Sequence, residues 1–235
     1  MGFFDFLKKV QETDDNKHND RISNSFIDNQ AISSLFKAYF LLDDNLGLKS
    51  TGRCGILVKN MNIPNFNDMK QLIENILANV SDKQKIGWDL TYRSVIDNYN
   101  YLWFIVKGKT VEEIVVALNE IGDTVHEKGF SRQLLAAVFE LTSGYSVDQN
   151  KFLKNAVINN NNNNNNHSTS QYLIYNYKND KFYPFVPLSL SKGVATGSGK
   201  KRNYEQEMKI MAQIKDDMPC EKDASLWYPI WNIPF

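Results

Sequence analysis

The sequence predicts an α+β protein: a mainly antiparallel sheet with helices packed on it. Two pairs of β-rich runs are each joined by a short turn, which favours antiparallel hairpins. Between the pairs lies a capped amphipathic helix with one apolar stripe. Strands and helices that follow one another without strict alternation belong to the α+β class.

Residues 1–10 place Phe3, Phe6, Leu7 and Val10 at helical spacing, with Phe4 among them and Lys8 and Lys9 alongside. Phe3, Phe4, Phe6 and Leu7 are therefore candidate membrane-interface residues of an amphipathic segment, the alternative being a helix docked on its own domain. Residues 11–30 are too polar to fold alone and read as a linker. This divides the chain into an N-terminal segment and linker, 1–30, and a single α+β domain, 31–235.

The folded part is expected to begin near Ile32, with Phe36–Leu42 as either a closing helical turn or a first strand. Gly52-Arg53-Cys54-Gly55 reads as a turn, and Gly55–Lys59 as the strand it enters. From Pro64, Phe66, Met69, Leu72, Ile73, Ile76, Leu77 and Val80 recur every three or four residues, a helix with one buried face that tolerates proline in its first turn. Leu90–Ile96 and Tyr101–Val106 flank the turn formers Asp97-Asn98-Tyr99-Asn100, and Trp103 falls in the second strand. In Thr110–Lys128, Thr110 and Glu113 fit a capping box, Ile114, Leu118, Ile121 and Val125 form the stripe, and Gly129 is the stop. Leu134–Leu141 reads as a strand. Tyr172–Tyr177 and Phe182–Val186 pair through Asn179-Asp180. A last helix, Asn203 to about Lys215, carries Tyr204, Met208, Met211 and Ile214 on one side. The segment 143–170 holds eight consecutive asparagines, Asn159–Asn166, and is expected to be a disordered insertion, because such a tract cannot offset its ordering entropy.

Composition narrows the function. Hydrophobic residues at 42% suffice for a core, and 27 basic against 27 acidic residues leave no net field to draw the chain onto nucleic acid. Cys54 and Cys220 stand too far apart for a metal knuckle and read as thiols of a reducing cytosol. No apolar run of about 18 residues suggests a membrane span, and the start lacks the pattern of a signal peptide. A cytoplasmic protein is expected.

Chemical motifs are sparse. The stretch Gly193–Lys201 looks like a phosphate-binding loop, but Val194 stands at the leading glycine position and Lys201 where Ser or Thr would hold magnesium. A solvated basic loop, Lys200-Lys201-Arg202, is the simpler reading. His18, His126 and His167 do not cluster, so no metal is expected, nor any other cofactor. His126 suits the C-terminal end of its helix. No nucleophile stands beside a base in the sequence, and no catalytic residue is assigned. Aromatic density in the last third does stand out. Phe182, Tyr183, Phe185, Trp227, Tyr228 and Trp231 are candidate partner-binding aromatics, with core packing as the alternative use.

Met1-Gly2-Phe3-Phe4-Asp5, Tyr101-Leu102-Trp103, Gly129-Phe130 ahead of Leu134-Leu135, Tyr172-Leu173-Ile174-Tyr175, Phe182-Tyr183-Pro184-Phe185-Val186-Pro187 and Trp227-Tyr228-Pro229-Ile230-Trp231 together span most of the chain. In these stretches the sequence resembles the PspA-associated protein PspAB family of archaea and actinobacteria. The resemblance implies an accessory of the phage-shock membrane-stress system, with a PspA-type coiled-coil protein as partner and a link to an HtpX-like protease. It also implies action in the cytoplasm, with peripheral contact at the inner face of the membrane. It brings no catalytic residues. The expectation is a non-enzymatic regulatory binding protein. The alternatives are a chaperone-like module for extended peptides and, more remotely, a small-molecule hydrolase with a spatially assembled site.

Overall fold

The computed structural model describes residues 29–81, 88–143, 170–188 and 201–235. The N-terminal segment with Phe3, Phe4, Phe6 and Leu7 lies outside the described residues, as do His18, His167, the asparagine tract and the stretch 193–199.

The described elements are α1 (Asn29–Leu46), β1 (Leu48–Lys59), α2 (Pro64–Val80), β2 (Thr91–Ile96), β3 (Tyr101–Lys107), α3 (Val111–Glu127), β4 (Leu134–Ser143), β5 (Gln171–Asn176), β6 (Lys181–Phe185) and α4 (Tyr204–Ile214). Short 3₁₀ turns lie at Ser131–Gln133 and Ala224–Leu226. The strands form one antiparallel sheet in the order β2-β3-β1-β4-β5-β6, so the α+β class holds.

Both hairpins form as their turn residues require, β2 with β3 and β5 with β6. In the first, one carboxylate oxygen of Asp97 accepts the backbone N–H groups of Tyr99 and Tyr101, and the other accepts the Trp103 indole N–H, each at 2.9 Å. The capping box on α3 is complete: Thr110 accepts from the Glu113 N–H, and the Glu113 carboxylate accepts from the Thr110 N–H. Gly129, with φ +81°, follows the end of that helix.

Three expectations change. Phe36–Leu42 is helix rather than strand, and it is the middle of α1 rather than a closing turn, because Leu35, Ala38, Tyr39 and Leu42 recur at helical spacing and are buried. The Gly52–Gly55 turn is strand: β1 starts at Leu48 and pairs with β3, Arg53 opposite Lys107 and Gly55 opposite Ile105. On α4 the buried face is Glu207, Ile210, Met211 and Ile214, while Tyr204 and Met208 are exposed.

The chain divides into two compact units. In the first (Met1–Ser34, Gly52–Ala137, Pro234–Phe235), α2 packs against α3, with Phe66 edge-on to Phe130 at 5.2 Å. The Ser94 hydroxyl donates to the Glu74 carboxylate, which turns the Tyr92, Ser94 and Ile96 side of β2 toward α2. The opposite side of β3 carries Trp103, covered edge-on by the Phe235 ring at 6.2 Å. Gly55 makes room for that ring: a Cβ there would lie 2.9 Å from it and 3.2 Å from Trp103.

In the second unit (Leu35–Thr51, Val138–Ile233), α4 packs on β6. Phe182 lies 4.8 Å from Tyr175 and 6.3 Å from Phe139, and Tyr172 stacks on Phe185 at 6.2 Å. The buried Glu140 carboxylate accepts from the Thr51 and Ser170 hydroxyls, the kind of satisfaction a buried acid needs.

Candidate functional site

The second unit holds a recess built by the two chain segments that flank α4. Beyond β6, Val186–Leu188 runs beside Lys201–Asn203: the Leu188 N–H donates to the Lys201 carbonyl and the Asn203 N–H to the Val186 carbonyl, each at 2.8 Å. Asn203 then caps α4, its side chain accepting from the Gln206 N–H at 3.1 Å. After the helix the chain returns along β6, where the Phe182 N–H donates to the Pro219 carbonyl and the Glu221 N–H to the Phe182 carbonyl.

A buried ion pair fixes these segments together. Glu207 is fully buried. Its carboxylate accepts from Arg202 Nε at 2.8 Å and pairs with Arg202 Nη2 at 2.7 Å, and its other oxygen accepts the Val186 N–H at 2.9 Å. Arg202 Nη1 donates to the Trp227 carbonyl at 2.8 Å. One guanidinium thus links the end of β6, the first turns of α4 and the C-terminal segment. Nε reaches both carboxylate oxygens, and these charge-assisted contacts offset part of the desolvation of both groups. The Trp227 indole N–H donates to the Glu221 carbonyl and the Tyr183 hydroxyl to the Tyr228 carbonyl, at 2.8 and 2.9 Å. Burial pushes the Tyr183 phenol well above its ordinary value, with Arg202 opposing, so it remains a donor.

Over this frame opens a recess of about 650 Å³ whose lining includes Leu188, Lys201, Arg202, Tyr204, Trp227, Tyr228, Pro229 and Trp231. Tyr204 and Tyr228 are more than half exposed, at 58% and 56%. The Arg202 guanidinium lies 4.5 Å from the Tyr204 ring centre, a cation–π contact. Trp231 is half-buried, edge-on to Phe185 at 5.0 Å. A rigid floor with an aromatic rim suits the capture of an apolar or aromatic anchor.

The structure separates the sequence-predicted aromatics into two groups. Phe182, Tyr183, Phe185 and Trp227 are buried and form the floor and the core beneath it. Tyr228 and Trp231 are on the rim. Of the two tail tryptophans, Trp227 is buried and Trp231 is half-buried. Sequence reasoning missed Arg202, which is not part of a solvated basic loop, and also Glu207, Tyr204 and Leu188. The signal was present: Glu207 falls within the apolar stripe that continues to Ile210, Met211 and Ile214, and an acid in a buried stripe requires a cation nearby.

Neither thiol is suited to nucleophilic work. Cys54 and Cys220 are buried, and burial raises both, Cys220 to about 12 with Asp216 adding to the effect; a neutral thiol is a poor nucleophile. His126 Nδ1 lies 2.8 Å from the Ser131 hydroxyl at the end of α3. Among the described residues, no group of three or more His, Cys, Asp or Glu could hold a metal ion, and no helix is long and apolar enough to cross a membrane.

A family model described as PspAB, PspA associated protein B, matches residues 1–235, the whole chain. No curated protein and no solved structure matches it.

Proposed function

The chain belongs to the PspA associated protein B family, and from that premise we propose that it is a non-enzymatic accessory protein of a PspA-type membrane-stress response. In this reading it acts through protein–protein contacts, with a PspA-type coiled-coil protein as its partner and the aromatic recess of the second unit as the contact surface. One observation carries the choice of surface: Tyr204, Tyr228 and Trp231 rim a recess whose floor is fixed by the Arg202–Glu207 pair. An amphipathic helix lays its apolar face into such a groove through a few anchors, and Lys201 on the rim favours an acidic flank. The neutral, buried thiols favour a binding role over nucleophilic catalysis.

Capture of a purified PspA-type protein by the full chain tests this. Tyr228→Ala and Trp231→Ala should each weaken capture about tenfold or more, as loss of a hot-spot aromatic does. Capture that is absent, or equal in both variants and the parent, overturns the reading. The same reading places the protein in the cytoplasm at the inner face of the membrane, near an HtpX-like protease, with Phe3, Phe4, Phe6 and Leu7 as the lipid contact. Vesicle binding that survives replacement of Phe3 and Phe6 by serine removes that contact from it.

A further inference from the structure

In the first unit β2 is the outer strand, bonded to β3 on one side. The Asp97 N–H donates to the Tyr101 carbonyl at 2.9 Å. Bonding pairs alternate along an antiparallel ladder, so Val95, Arg93 and Thr91 bond β3 at Trp103, Ile105 and Lys107. The backbone groups of Tyr92, Ser94 and Ile96 therefore point the other way, each offering one N–H and one C=O along the outer edge. Among the described residues, none bonds to these groups. On β6, by contrast, Phe182 bonds with both its N–H and its carbonyl to the segment after α4.

A row of alternating donors and acceptors at strand spacing is complemented by the backbone of another strand. We propose that β2 pairs with β2 of a second copy of this chain, antiparallel, about a two-fold axis at Ser94. The edge is self-complementary in that register. Ser94 faces Ser94, Tyr92 faces Ile96 of the second copy, and all the outward groups of the three residues are bonded.

Side chains select the same register. Ile96 is 50% exposed, and Tyr92 of the second copy covers it as an aromatic–aliphatic cross-strand pair. Arg93 faces Val95 and has Asp97 of the second copy on its diagonal, an opposite charge within reach of a long side chain. Sliding the strands so that Tyr92 faces Ser94 would set Arg93 directly against Arg93, a repulsive pair. Sliding the other way would set Tyr92 against Asn98, which lies in the turn. Because the pairing is isologous, it uses the outer edge of both copies and association stops at two. The dimer does not depend on the partner assigned to the aromatic recess.

Sedimentation equilibrium of the full chain over a concentration series, with amide exchange read residue by residue, tests the proposal. A monomer–dimer equilibrium is expected, with the N–H groups of Tyr92, Ser94 and Ile96 exchanging more slowly as the dimer fills. Ile96→Lys, a change at an exposed position, should weaken dimerisation about tenfold or more, since the pair it breaks occurs twice in each dimer. Ser94→Cys should give a disulfide-linked dimer under mild oxidation, because facing residues of a bonded pair lie about 5.5 Å apart. Ile96→Cys should not, its two copies being four residues out of register; the parent, whose cysteines are both buried, sets the background. A chain that stays monomeric, a dimer indifferent to Ile96→Lys, or crosslinking through Ile96→Cys in place of Ser94→Cys overturns the proposal. So does a monomer whose Ser94 N–H is slowed only by an added peptide of alternating valine and threonine, since the edge then serves a foreign strand.

Discussion

Glu207 is a fully buried carboxylate whose partners are the Arg202 guanidinium and the Val186 N–H. Removing one member of such a pair costs more than the pair contributes, because the other charge remains buried and uncompensated. Glu207→Ala should therefore destabilise the chain by about 3–5 kcal/mol, measured as a lower urea midpoint. Replacing both Arg202 and Glu207 with apolar residues of similar volume should recover much of that loss. The Arg202–Glu207 pair was only half legible. The acid stands three and four residues before Ile210 and Met211 of the buried face, but setting the stripe on Tyr204 and Met208 passed over it, and the cation looked like one of three consecutive surface charges. A second prediction concerns alkaline pH. Cys54, Cys220 and Tyr183 have raised values when folded, all chiefly through burial. Above the ordinary thiol value of 9.0 the unfolded chain loses protons that the native state keeps, so stability falls as pH rises from there toward about 12. The urea midpoint should be lower at pH 10 than at pH 8, and Cys54→Ala should reduce the difference; a midpoint that does not fall would contradict the assignment.

Among the elements, α3 shows how far local chemistry determines structure. Its cap, stripe and stop were all readable, because each depends on residues within one or two turns of one another. The Glu113 carboxylate does more than close the box: it also accepts from the Lys109 and Asp89 N–H groups. Thr110→Ala should cost about 1 kcal/mol, the usual loss of a cap. Glu113→Ala should cost more, because three backbone donors lose their acceptor; an equal or smaller loss in thermal unfolding would show those extra bonds to be idle. In β1 the local signals were misleading. Gly52 and Gly55 look like turn residues, and only contacts remote in sequence explain them: the pairing with β3 and the ring of Phe235 over Gly55. The exposed Phe40 on α1 likewise obscured a helical period, since its aromatic neighbours suit a strand equally well.

For the molecule as a whole, fold class and family could be read from the sequence, because the hairpin turns and the single FYPF and WYP blocks are each local signals. Which aromatics face solvent could not, because Phe182 and Tyr228 look alike as residues and differ only in what packs on them. Pro184 had a wider meaning than its sequence context suggested. It lies in β6, the last strand of the sheet, where a missing N–H is tolerated. Two backbone bonds from Phe182 to the segment after α4 cover the same strand. That cover acts as a safeguard against fibril growth, since a bare outer strand is a template for other chains. A chain ending at Lys215 should therefore self-associate with rising concentration, and light scattering and thioflavin fluorescence should register it while the full chain stays clear.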